Sequence, residues 1–326
     1  MEAILAPWLG KPLWMWLVFI AVVLALLALD LGILHRKARA IGVRESLWMS
    51  GFYIAVALLF GAWTWATLGE QAGEEYLTGF LVEKTLAMDN VFVISLIFGY
   101  FAIPAALQHR VLLWGILGVI VLRAAMIGAG AALIAGFSWI LYVFALFLIA
   151  TGIKMLTMGN AVPDIAANPV LKLLRRHLRV TPGLEGDRFV VRKLDPATGR
   201  KVWWATPLLV ALLMIEFVDL VFAVDSVPAI FAITDDPYVV YTSNIFAILG
   251  LRALYFALAA MLPRFRYLKP ALAAVLVFIG AKIFVADVAG WEKFPASLSL
   301  GITLALLGAG VVFSLWRTRR VAPSPP

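Results

Sequence analysis

The chain has 326 residues, 63% of them hydrophobic, with a mean hydropathy of +0.98 and a net charge of +8. A soluble domain sits nearer half apolar, and here the excess falls in runs of about 20 residues, long enough to cross hydrocarbon. The absence of cysteine excludes disulfides, thiolate metal sites and cysteine catalysis.

The first apolar run lies at about 13–34. No basic n-region precedes it and no A-x-A-like cleavage site follows, so it is expected to stay as a helix rather than leave as a signal peptide. Further spans are expected at about 46–68, 77–100, 109–134, 138–158, 204–233, 239–262, 268–289 and 298–316. The expected fold is therefore all-α and polytopic, with about nine transmembrane helices. Trp8, Trp14, Trp16, Trp48, Trp63, Trp65, Trp203, Trp204 and Trp291 fall near span ends, as interfacial anchors do.

The loops alternate in charge. One side takes Arg36, Lys37, Arg39, Arg44, Arg110, the basic stretch from Lys172 to Lys201, Arg264, Arg266, Lys269, Arg317, Arg319 and Arg320. The other has Lys11 and Lys293 beside Glu70, Glu74, Glu75, Asp235, Asp236 and Glu292. This bias predicts a cytoplasmic C-terminus and 159–203 loop, with the N-terminus outside. It also explains the positive charge without nucleic acid. The 159–203 loop is too short for a catalytic domain. Its stretches Arg188–Arg192 and Arg200–Trp204, flanking Asp195-Pro-Ala-Thr-Gly199, read as a small β-hairpin in a connector near anionic lipid.

Two stretches repeat. Ala87-Met-Asp89-Asn90-Val matches Ala223-Val-Asp225-Ser226-Val, each followed by a span with an arginine, Arg123 or Arg252. Next comes a span ending Gly152-Ile-Lys154 or Gly280-Ala-Lys282. Three spans is an odd number, so the copies are expected to be inverted in the membrane, a plan common in secondary transporters. The chain then divides into two N-terminal helices (1–75), a first three-helix repeat (76–158), the basic loop (159–203), a second repeat (204–290), and a last helix with a basic tail (291–326).

Charges inside hydrocarbon are costly, from about 2.5 to well over 10 kcal/mol each. Glu83, Asp89, Arg123, Lys154, Glu216, Asp219, Asp225, Arg252 and Lys282 lie within spans or at their edges, so they must face the bundle interior. Asp30 is near the end of its span and fits helix-end solvation as well as a site. Glu216 and Asp219, three apart, share a helix face. Glu83 and Asp89 are six apart, as are Asp219 and Asp225, and a regular helix splays each pair. Pro228 is expected to loosen its helix and free carbonyls beside Asp225 and Ser226. Carboxylates with Asn90 and Ser226 make a hard-oxygen site suited to Mn²⁺, Mg²⁺ or Ca²⁺. His35, His109 and His177 fall at or outside span ends, so any metal inside is held mainly by oxygen. Arg123, Arg252, Lys154 and Lys282 are the candidate charge-balancing residues. No nucleophile elbow, Walker loop or dinucleotide fingerprint is present, and no enzymatic activity or resident cofactor is expected.

Leu29-Asp30-Leu31-Gly32, Glu83-Lys84, Met88-Asp89-Asn90-Val91-Phe92, the run from Glu216 through Asp219 and Asp225 to Pro228, and Tyr241 through Arg252 together resemble the TerC family of integral membrane proteins. The resemblance implies export of divalent metal, chiefly manganese, by a LysE-like transporter of the inner membrane. It assigns metal binding to Glu83, Asp89, Glu216, Asp219 and Asp225. The family's tellurium-resistance name is a weak guide, since tellurite is an anion. Protons are a candidate coupling ion. A scaffold that aids insertion or metal loading of exported proteins is the competing expectation; no protein partner is legible.

Overall fold

The computed structural model describes residues 7–32, 42–137, 139–157, 164–194, 199–259 and 268–319. A short ladder of β1 (Pro7–Trp8) and β2 (Lys11–Pro12) leads into α1 (Leu13–Gly32). Then come α2 (Val43–Leu68), α3 (Glu70–Tyr100), α4 (Ala105–Gly136), α5 (Ile140–Thr157) and the short basic α6 (Pro169–His177). Antiparallel β3 (Val190–Leu194) and β4 (Lys201–Ala205) follow. The second half is α7 (Pro207–Phe231), α8 (Pro237–Leu249), α9 (Leu251–Ala259), α10 (Leu268–Val288) and α11 (Ala296–Arg319). Apart from the two ladders this is an all-α polytopic membrane protein.

Among the described residues seven helices are long and apolar enough to span a bilayer: α1, α2, α4, α5, α7, α10 and α11. The other two expected spans are built differently. α3 runs for 31 residues but carries Glu70, Glu74, Glu75, Glu83, Lys84 and Asp89. The stretch expected at 239–262 is divided at Gly250 into α8 and α9. A Cβ at Gly250 would fall 2.6 Å from the Lys84 Nζ, so the glycine at the break leaves room for that ammonium.

Local chemistry sets the helix ends. Pro207 and Pro237 open α7 and α8, where no N–H is needed. The Asp236 carboxylate accepts from the Tyr238 N–H at 2.9 Å and caps α8. Gly69, at φ +94°, joins α2 to α3 through one residue, a backbone angle that side chains resist. One expectation fails here. α7 does not unwind at Pro228; it continues to Phe231. The proline removes a single bond, the one to the Val224 carbonyl, and the helix continues through it.

α3 is the central helix, packed against α2, α7, α8, α9, α10 and α11. α4 lies on α7 and α8, and α5 lies on α10 and α7. α5 and α10 touch through glycines. Gly152 backs onto Ala273 and Val277, and Gly280 onto Ala145 and Ile149. Numbers rise on one helix as they fall on the other, so the two run antiparallel. α1 covers the bundle with Trp16 and Phe19, whose rings meet Tyr238 and Phe246.

Candidate cation site

At the junction of α3, α4 and α7 lies Arg123, 1% exposed. Its Nη1 donates to Glu83 Oε1 on α3 at 2.7 Å. Its Nε and Nη2 donate to the two carboxylate oxygens of Asp219 on α7, at 3.1 and 3.2 Å. The Nη1 also donates to the Ser226 hydroxyl. This is the planar fork of a guanidinium used on two carboxylates at once. Asn90 Nδ2 approaches Asp219 Oδ1 at 3.4 Å. Glu83, Asn90, Asp219 and Ser226 are all buried.

The geometry follows from helix phase. Glu216 and Asp219 share a face of α7 that looks at α4. There the Glu216 carboxylate lies over Gly118, where a Cβ would sit 2.2 Å from its Oε1. The Oε2 of Glu216 has no hydrogen-bond partner among the described residues, and neither has Asn90 Oδ1. A cavity of about 30 Å³ adjoins this cluster, lined by Asn90 and Asp219 and otherwise by apolar residues of α3, α4, α7, α8 and α9. That is room for about one water molecule or a bare ion.

The remaining charges are dispersed. Asp225 is half-buried and accepts from Thr151 Oγ1 of α5 at 3.3 Å, outside the Arg123 network. Lys84 donates to the Ala247 carbonyl at 3.0 Å. Lys154 is exposed on α5, whereas Lys282 is buried and donates to Ser299 Oγ at 2.9 Å. Asp30 is buried near the end of α1. The side chains of Asp89 and Arg252 lie outside the described residues.

Two carboxylates against one guanidinium leave a formal surplus of one negative charge, with Glu216 adjacent. Such a surplus inside a bilayer is stabilised by a cation. Among the described residues, no three acidic or histidine side chains converge on one point. In this conformation the guanidinium fills the centre of the acids. Three polar residues escaped sequence reading: Thr151, Ser299 and Asn244. Asn244 is fully buried, with neither amide atom bonded among the described residues. An asparagine within the apolar run 241–252 was the available signal.

Residues 68–322 match the family described as "Integral membrane protein TerC family". A Rickettsia felis membrane protein is 48% identical over 94% of this chain and 99% of its own length. One from Myxococcus xanthus is 46% identical over 98% of this chain and 97% of its own. A Salmonella typhi protein, Alx, is 45% identical over 94% of this chain and 95% of its own; its name carries a provisional description as a membrane-bound redox modulator. No solved structure matches the chain.

Proposed function

The chain belongs to the TerC family of integral membrane proteins, and from that premise we propose that it is a secondary transporter exporting divalent metal ions, chiefly Mn²⁺, from the cytoplasm. The observation that carries this reading is Arg123, buried between Glu83 of α3 and Asp219 of α7. Buried ion pairs stabilise weakly, so their retention here favours a site whose charge changes hands. The cargo takes oxygen from the carboxylates, with Asn90 and Ser226 as neutral donors. Arg123 swings back when the ion leaves, so the empty carrier never presents bare carboxylates to the bilayer. Protons on those acids are the alternative counter-charge.

Alternating access needs two units that rock, and inverted repeats supply them. Three observations support the reading of α3–α5 and α7–α10 as such repeats. α3 packs on α8 as α7 packs on α4. α5 and α10 are antiparallel. Each of their glycines meets the residues seven and three before the other glycine, which is the signature of a two-fold axis through the crossing. The basic loops orient the protein with its C-terminus and the 159–203 loop in the cytoplasm, in the inner membrane. A redox effect like that in the Alx description needs no redox-active side chain if the cargo is itself a redox-active metal; the chain has no cysteine to supply one.

In proteoliposomes, Asp219→Asn should abolish manganese transport; full transport by that variant would put the site elsewhere. The scaffold reading draws on the β3–β4 hairpin, which exposes Leu194 and Trp203, the latter under the Arg192 guanidinium at 4.9 Å. Deleting 185–200 separates the two: a transporter keeps flux, whereas a scaffold loses its partner.

A further inference from the structure

Between the ends of α3, α7, α10 and the start of α11 lies a cavity of about 420 Å³. In the orientation proposed above it is on the outer side. On α3 its lining residues Glu75 and Thr78 stand one to two turns outward of Glu83. On α7 and beyond, Thr234 and Asp235 stand two turns outward of Ser226. Between the cavity and the acids is a packed layer: Gly79 with Ile230 against it, and Gly130 with Phe231 against it. The cavity is therefore a closed-off vestibule on the line from the acids to the outside.

Its charged residues are Glu75, Asp235, Asp287, Glu292, Lys282 and Lys293. Lys293 pairs with Asp235 at the exposed rim. Glu75 accepts from Gln71 Nε2 at 2.8 Å. Lys282 is different. It is 5% exposed, and its ammonium donates to a neutral partner, Ser299. Among the described residues no salt bridge within bonding distance holds it, and the Glu75 carboxylate of the same cavity acts on it only through space. Among those residues it is thus the one buried cation facing the acids of the cavity, and an ammonium kept at membrane depth is a functional feature by default. The small cavity on the other side of the acids is lined by Asn90 and Asp219 and no cation. The counterpart of Lys282 in the first repeat, Lys154, is exposed on α5. The two faces of the site are thus electrostatically unlike, although the repeats that form them match.

We propose that Lys282 is an electrostatic selectivity element of the outer vestibule, which keeps the outward-facing site weak for divalent cations and so favours their release over rebinding. This rests on the transport reading. A fixed ammonium acting on a divalent ion across about 10 Å, at the effective dielectric of a protein interior, changes occupancy more than tenfold. It changes half-saturation on one face and leaves the equilibrium set by the gradients untouched.

The absence of cysteine makes the test clean. Manganese flux is measured from each face of oriented proteoliposomes for wild type, Lys282→Gln and Lys282→Cys. Half-saturation at the outer face is expected to fall at least tenfold in both variants, with the cytoplasmic face unchanged. Treating Lys282→Cys from outside with aminoethyl methanethiosulfonate, which restores an ammonium, is expected to restore the wild-type value; the sulfonatoethyl reagent is not. If Lys282→Gln misfolds, the labelled and unlabelled cysteine protein carry the comparison. Unchanged outer half-saturation in a transporting variant, or a cysteine unreachable from outside, overturns the role of Lys282 alone. Wild type without flux overturns the transport reading itself.

Discussion

Replacing Arg123 by methionine keeps an apolar stem of similar length and removes the cation from Glu83 and Asp219. Deleting one partner of a buried ion pair costs about 3–5 kcal/mol. Here two buried carboxylates lose the same cation, along with the hydrogen bonds at 2.7, 3.1 and 3.2 Å. Summing charged hydrogen bonds would overshoot, because a stranded carboxylate takes up a proton instead. Arg123 offsets one of the two negative charges, so its loss strands one more, and protonating that carboxylate costs about 4 kcal/mol at neutral pH for a group that ordinarily titrates near 4. The expected loss is therefore about 3–5 kcal/mol, read from unfolding in mixed detergent by tryptophan fluorescence. The distinguishing feature is rescue. With the guanidinium gone, a divalent cation meets no competitor among the acids. At 100 times its dissociation constant a ligand returns about 2.7 kcal/mol, so Mn²⁺ should restore much of the loss, and restore less in Arg123→Lys. A variant as stable as wild type without metal, or one that Mn²⁺ fails to stabilise, would refute the reasoning.

Other expectations follow from the same packing. Gly118→Ala places a methyl 2.2–2.6 Å from the Glu216 carboxyl atoms; that side chain is flexible, so the fold should persist while its carboxylate moves. Manganese flux should fall with little change in unfolding, and unaltered flux would remove Glu216 from the route. Gly152→Ala and Gly280→Ala each push a Cβ to 2.7 and 2.5 Å from a backbone oxygen. Neither clash relaxes by rotamer, so each should cost about 1–3 kcal/mol. The two costs should agree within about 1 kcal/mol if the crossing is two-fold; a large inequality argues against the axis. Ser226→Ala should cost about 1 kcal/mol in unfolding, one hydrogen bond from Arg123, and a neutral result would mean that the hydroxyl is not holding the guanidinium.

Much of the fold is legible because hydrocarbon imposes one simple demand, runs of apolar residues that satisfy their own backbone. Among the described residues seven of the expected spans are helices long and apolar enough to cross, and the strand β4 takes residues 204–205 from the start of the sixth. The break at Gly250 was not legible, and neither was the Lys84 ammonium that arrives there from another helix and donates to the Ala247 carbonyl. The charged residues were visible as anomalies in apolar runs, but their partners were not. Six-residue spacing indicated that Asp219 and Asp225 point apart unless α7 unwinds. α7 stays helical, so the two do point apart: Asp219 to Arg123 and Asp225 to Thr151. Sequence also treated Lys154 and Lys282 as equals. Only packing distinguishes an exposed lysine from one buried over a cavity.

The account stands or falls on manganese flux through the purified protein in proteoliposomes, with Asp219→Asn as the comparison and a pH gradient imposed in either direction. Wild type should carry Mn²⁺, Asp219→Asn should not, and a response to the pH gradient would identify protons as the counter-ion. Equal flux in the two proteins, or none in folded wild type, would contradict the claim that these buried carboxylates carry a divalent ion across the membrane.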